Sequence, residues 1–356
     1  MNARMLLVLG LGTVMAIALA LMFVDRSDET PSQGDEQLLL PGLADRVNSI
    51  DALDIVGPDG ETVATLRRER ERWRMREKHD YEADFARIHD LLRDLARAER
   101  LEGKTDKPEW YGRLGVAAPG EGEGSGTVVR FPDSELPSVI VGRTDPAGIG
   151  RYVRREDESQ AWLTDRNLEL PLERMEWLER AIMGIPATDI REVSVRHPDG
   201  DEVELRPGDE EGSIWVMLDP PADREVKQAW QLQQTANALA TLNMEDVRPH
   251  ESAPVPDDAV ETVYRTRDGM IFTARTWSDE EGNWVHFRVS EDESRDSSED
   301  SGTDSPETGD AEREIDIVAV DGRLAPWQFA VSEERFDFLR PTTEDLLVAP
   351  EKASEG

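Results

Sequence analysis

Ile50–Arg67 reads IDALDIVGPDGETVATLR, and Ile190–Arg206 reads IREVSVRHPDGDEVELR. Each is an alternating apolar and polar run, then Pro-Asp-Gly, then a second alternating run. A period of two puts one set of side chains on one face of a strand. Asp-Gly between two such runs predicts a hairpin, because glycine accepts the positive φ that a tight turn demands. The two turns, Pro58-Asp59-Gly60 and Pro198-Asp199-Gly200, lie 140 residues apart.

The correspondence continues along the order of elements. Trp73-Arg74-Met75 answers Trp215-Val216-Met217, each a third short strand. A helix is expected over Asp84–Leu101, where Phe85, Ile88, Leu92 and Leu95 recur at helical spacing behind an Asp84 N-cap. A second helix is expected over Asp223–Asn243, with Val226, Ala229, Leu232, Ala236 and Leu239 on one face. Further strands are expected at Thr127–Phe131, Ser138–Val141 and Arg151–Arg154, followed by a helical stretch Leu172–Ile182. The later copy offers Glu261–Arg267, Met270–Thr276, Asn283–Val289 and Glu314–Val320, then a short helix Ser332–Leu339. The fold class expected is α+β: two tandem modules, 48–188 and 189–348, each an antiparallel β-meander with a helix packed on one face.

Met5–Val24, MLLVLGLGTVMAIALALMFV, has no charged residue. Twenty helical residues span about 30 Å, the hydrocarbon thickness of a bilayer. Arg4 and the amino terminus place residues 1–4 in the cytoplasm and everything after Val24 outside it. Ala18-Leu19-Ala20 resembles a signal-peptide cleavage site, but the apolar run continues for four residues beyond it, which favours a retained anchor. The expected location is thus a single-pass protein of a bacterial inner membrane with its body in the periplasm. Residues 25–47 read as a linker, polar at first and ending in the apolar patch Leu38-Leu39-Leu40, with ordered structure expected from about Val47.

The 356 residues carry a formal net charge of −36, and no basic stripe offsets it, so nucleic acid is excluded as a partner. Without cysteine there can be no disulfide, thiolate nucleophile, zinc ribbon or iron–sulfur cluster. Residues 290–313 are acidic and serine-rich, without an aromatic or branched aliphatic side chain, and read as a disordered loop between two strands. They lack the spacing of a calcium loop. The tail, 349–356, reads as disordered too.

A search for chemistry yields no catalytic, cofactor-binding or metal-binding residue, and no cofactor is expected. His79, His89, His197, His250 and His286 form no metal motif. The glycines at 120, 122, 124 and 126 alternate with glutamates and lack the lysine of a phosphate loop, so they read as a flexible loop. There is no G-x-S-x-G. With 77 carboxylates, sequence spacing singles out no acid–base pair. Trp73, Trp215, Trp284, Trp162, Trp327, Trp177 and Trp230 read mostly as core fillers, with a sugar- or peptide-binding platform as the alternative.

The anchor, the hairpin and Trp73-Arg74-Met75 are followed by Tyr81-Glu82-Ala83-Asp84 and by Lys104 to Val116, KTDKPEWYGRLGV. Ile140-Val141-Gly142-Arg143 and Tyr152-Val153-Arg154 come next. In this order the segments resemble the DUF4340 family, over roughly residues 45–345. Tyr111-Gly112-Arg113-Leu114 departs from the family's Tyr-Gly-Leu by one residue. Members of that family resemble the auxiliary component of gliding-motility-type ABC transport systems. The resemblance implies a non-catalytic extracytoplasmic accessory or binding protein, whose partners would be an ABC permease or related membrane proteins and a polysaccharide or other exported ligand. The alternatives are an envelope glycan hydrolase using unidentified carboxylates and a purely structural periplasmic spacer.

Overall fold

The computed structural model describes residues 37–208, 215–292 and 317–349. The expected anchor at 5–24, residues 293–313 of the acidic loop and residues 350–356 of the tail lie outside these. No helix among the described residues is long and apolar enough to cross a membrane.

The chain is a mixture of antiparallel sheets and few helices. Its first part runs β1 (Ala52–Val56), β2 (Thr62–Glu69), β3 (Arg72–Met75), β4 (Tyr81–Glu82), α1 (Phe85–Arg97), β5 (Arg100–Thr105), α2 (Tyr111–Leu114), β6 (Thr127–Arg130), β7 (Val139–Thr144), β8 (Arg151–Arg155), β9 (Ala161–Thr164) and β10 (Ala181–Met183). Then come β11 (Ile190–Arg196), β12 (Glu202–Pro207), β13 (Trp215–Met217), α3 (Ala229–Ala236), β14 (Leu242–Asn243), β15 (Asp246–Pro249), β16 (Val260–Thr266), β17 (Met270–Asp279) and β18 (Gly282–Glu291). A helical stretch over 317–324 leads to β19 (Trp327–Ala330), α4 (Glu333–Leu339) and α5 (Thr343–Leu346).

Two compact units result. One takes the described residues up to Thr62 and Ala86–Leu170; the other takes Val63–Phe85 and the described residues from Pro171 onward. These bounds differ from the 188/189 boundary drawn on the repeat, because the segment carrying Trp73 groups with the later residues.

In the first unit the strands run β1-β6-β7-β8-β9-β5, all antiparallel. Its central strands are buried on both faces, Val128 with Val129 and Val139 through Val141. A meander covered on one face only was expected. The difference lies in the segment after β5, which lays Tyr111 and Val116 against Val56, Val128 and Ile140. The linker expectation also changes. Leu39, Leu40 and Leu43 are wholly buried, and the Leu39 N–H donates to Ala98 O at 2.7 Å, so the ordered body includes the apolar patch.

In the second unit the main sheet runs β13-β12-β11-β16-β17-β18-β19-β15. Strict alternation gives β16 a buried residue at every second position from Val260 to Thr266. Ser290, Glu291 and Asp292 were expected to begin the acidic loop. Instead the first two complete β18, and Asp292 is buried in an ion pair with Arg191 at 2.5 Å.

The helices are shorter than their apolar spacing predicts. α1 stops at Arg97, and the following residues become β5, paired with β9. Phe85 at its start is exposed, off the apolar face on which it was placed. α3 begins only after Gln228, because Val226 bridges Leu347 and the Lys227 N–H donates to Leu346 O. Leu172–Ile182 holds a single 3-10 turn, Arg174–Trp177, and then β10. Glu314–Val320 was expected as a strand, yet its described part, 317–320, is helical. The helix expected at Ser332–Leu339 is present as α4, with the Ser332 hydroxyl accepting from the Arg335 N–H.

Candidate functional site

Three of the segments that carry the family resemblance, Lys104–Val116, Ile140–Arg143 and Tyr152–Arg154, lie in the first unit. The chain from Tyr111 to Val116 lies over β7 and β8. Gly142 sits under it so closely that a Cβ there would stand 2.4 Å from Leu114 O. The Arg154 guanidinium donates to Val116 O at 3.2 Å and Glu158 O at 3.1 Å, and stacks over the Tyr111 ring at 4.5 Å. The Tyr111 hydroxyl donates to Ser159 O at 2.5 Å. Every polar group named here is spent on backbone, so this cluster holds a loop on a sheet. The glycine run belongs to the same assembly. Gly124, at φ +88°, faces Gly112 with only 2.2 Å between a Cβ and Gly112 O, which leaves no room for any other residue. Of the loop expected to be flexible, Gly124 and Gly126 are thus closely packed, while Gly122 at its tip has nothing within 4 Å of a Cβ.

The histidines divide differently. His79 occupies a left-handed turn position and His89 lies on α1. His197 is buried before the second hairpin turn, its Nε2–H donating to Pro341 O at 3.1 Å. His250 and His286 stack face to face, centroids 4.0 Å apart. The His286 Nε2–H donates to Ala325 O at 3.0 Å, and Gln328 Nε2–H donates to Ala253 O at 2.7 Å and lies 3.4 Å from His250 Nδ1. Burial, with a lesser effect of neighbouring cations, lowers the His286 pKa below the usual imidazole value. Sequence spacing gave no hint of this pair, which the strand pairing Pro249–Trp327 and His286–Gln328 assembles. Among the described residues, no group of three or more His, Asp or Glu is placed to hold a metal ion.

Trp73, Trp177, Trp215 and Trp284 are buried, as core fillers should be, while Trp162 and Trp327 are half-buried. Trp230 is 58% exposed. It stands on the rim of a cleft of about 510 Å³ in the second unit, formed by α3, the end of α4 and α5. The indole N–H donates to Gln228 Oε1 at 2.9 Å, which leaves the ring faces open. Gln228 and Gln231 form a capping box that starts α3 and sets Trp230 and Gln234 one turn apart on one side. Facing residues include Asp337, Phe338 and Arg340 from α4 and the residue after it. Asp345 on α5 is drawn up in pKa by burial but more strongly down by the Thr342 hydroxyl and N–H and by the nearby charge of Lys227 and His197, so it titrates below the ordinary carboxylate range. An indole, amides, a guanidinium and carboxylates thus line one cavity. The sequence marked Trp230 as one of many tryptophans; its partners lie about a hundred residues on, which is why spacing could not single it out.

A model of the family described as a domain of unknown function, DUF4340, matches residues 73–262, more than half of the chain. Neither the comparison with characterised proteins nor that with solved structures gave a match. The match includes the Tyr111–Val116 loop, β7 and β8, and the chain belongs to the DUF4340 family.

Proposed function

We propose that this protein is a membrane-anchored extracytoplasmic binding protein, an accessory to an ABC-type export system. The apolar run Met5–Val24 is its transmembrane helix, and the folded body lies in the periplasm. The observation that carries the reading is how early the body begins. Because Leu39, Leu40 and Leu43 are part of the core, only residues 25–36 separate the bilayer from the fold. Fully extended, such a tether reaches about 40 Å. A body held that close to the lipid is placed to work on a membrane partner, and a permease is such a partner.

The body is a duplicated module. Two sheets carry the orders β1-β6-β7-β8-β9-β5 and β11-β16-β17-β18-β19-β15, position for position, and β2–β3 pairs as β12–β13 does. Binding is favoured over a spacer role by the cleft beside Trp230. Affinity purification of the full chain from detergent-solubilised membranes at native expression tests the assignment. An ABC permease should copurify. A preparation that carries no other membrane protein, before and after crosslinking in cells, overturns it.

A further inference from the structure

We propose that the cleft beside Trp230 is a saccharide subsite, which seats a neutral pyranose ring against the indole and hydrogen-bonds its hydroxyl edge to Gln234 and Arg340. The inference rests on the reading of the chain as a binding protein and names the ligand class. Three observations carry it. Trp230 is an exposed indole whose only polar atom is committed to Gln228 at 2.9 Å, so what it offers is an apolar face. Gln234, one helical turn on, has a side-chain amide with no partner among the described residues. Arg340 is half-buried in the opposite wall, over the Phe336 ring at 4.9 Å, and its guanidinium makes no hydrogen bond or ion pair among the described residues.

Neither Gln234 nor Arg340 has a polar side-chain atom that is both buried and unsatisfied, so both groups are hydrated and free to exchange water for a ligand. An amide both donates and accepts, a guanidinium only donates, and the Asp337 carboxylate beside it only accepts. The complement is a set of groups that each donate and accept on one edge of a body with an apolar face. Vicinal ring hydroxyls and the C–H face of a pyranose meet that description. In the lining the cations Lys227 and Arg340 balance the carboxylates Asp337 and Asp345, so the cleft favours neither sign of ligand and suits a neutral one. The volume, about 510 Å³, lies within the usual range of small-ligand pockets.

The test uses the full chain in a polyoxyethylene detergent, since maltoside and glucoside detergents would compete. Maltotetraose and chitotetraose are titrated by calorimetry, with tetraglycine as the peptide control. Saturable binding of one of the two tetrasaccharides is expected, weakened at least about tenfold by Trp230→Ala and by Gln234→Ala, and partly retained by Trp230→Phe. Because Trp230 is exposed, the variants should keep the wild-type thermal midpoint. Absence of saturable binding by both saccharides overturns the proposal. So does binding that Trp230→Ala leaves unchanged, or binding of tetraglycine in their place. The assay needs no permease, so its failure leaves the export-accessory reading standing, and a failed copurification leaves the cleft's chemistry intact.

Discussion

The Gly57 N–H donates to Glu61 O at 2.8 Å in the first hairpin turn, and the His197 N–H donates to Asp201 O at 2.9 Å in the second. Gly60 N–H to Gly57 O and Gly200 N–H to His197 O are both 3.0 Å. Asp59 Oδ1 accepts from Glu61 N–H at 2.9 Å, and Asp199 Oδ1 from Asp201 N–H at 3.1 Å. The glycines stand at φ +89° and +94°. Around these matching turns the two regions differ. α1 has thirteen residues and buries five, whereas α3 has eight, buries three and leaves a cleft beside Trp230. Ahead of the first hairpin an apolar segment, with Leu39, Leu40 and Leu43, is drawn into the core. Backbone pairing and turn chemistry are kept where a change would break register. Helix length and flanking segments vary where a neighbouring loop can supply the missing contacts.

The sharpest way to break this contrast is to empty the added segment. Leu40→Ala removes a wholly buried side chain and should cost about 2–5 kcal/mol in denaturant unfolding. A loss under about 0.5 kcal/mol would return Leu38–Leu43 to the linker and lengthen the tether on which the proposed membrane proximity depends.

The shared part is probed by Gly60→Ala and Gly200→Ala. A left-handed conformation costs an L-residue about 1–2 kcal/mol, and neither site puts a Cβ closer than 3.6 Å to another atom. Equal losses in unfolding free energy are therefore expected from the two variants. A cost at one site only would mean that the turns are alike in outline and not in strain.

The same contrast explains what could be read from the residues alone. Strands were legible because alternation and Asp-Gly act locally: β1, β2, β11, β12, β16, β17 and β18 fall where period and turn put them. Helix ends were not, because distant strands compete for the same backbone. Leu101 fits the helical spacing of α1, but Arg100 to Thr105 pair with β9, and Leu101 ends exposed on an outer strand. Val226 fits the spacing of α3, but Leu347 takes it into a bridge. Ile317, buried at the start of 317–324, follows an alternating run that imitates a strand. The cleft was illegible for a related reason. Trp230 looks like the other tryptophans until α4, more than a hundred residues later, fails to cover it.

The smallest effect expected concerns the stacked histidines of the second unit, His250 and His286. Burial holds the folded-state pKa of His286 below its unfolded value of 6.5, and protonating it would also set a cation 4.0 Å from the His250 ring. The unfolded chain then binds a proton that the folded chain refuses, so stability rises with pH through this window. The contribution is fully present above pH about 6.5 and is lost as the pH falls through the folded value. Unfolding free energies from pH 8 down to 5 should therefore fall more steeply for the wild type than for His286→Gln, which keeps a donor for Ala325 O and removes the titration. The carboxylates blur this on the acid side, since Asp279 and Asp345 have depressed pKa values and add slope of the same sign at lower pH. The comparison between the two chains removes that shared background. Parallel curves for wild type and His286→Gln would show that the imidazole stack packs as an aromatic pair without sensing protons, and would leave the second half distinguished from the first by its cleft.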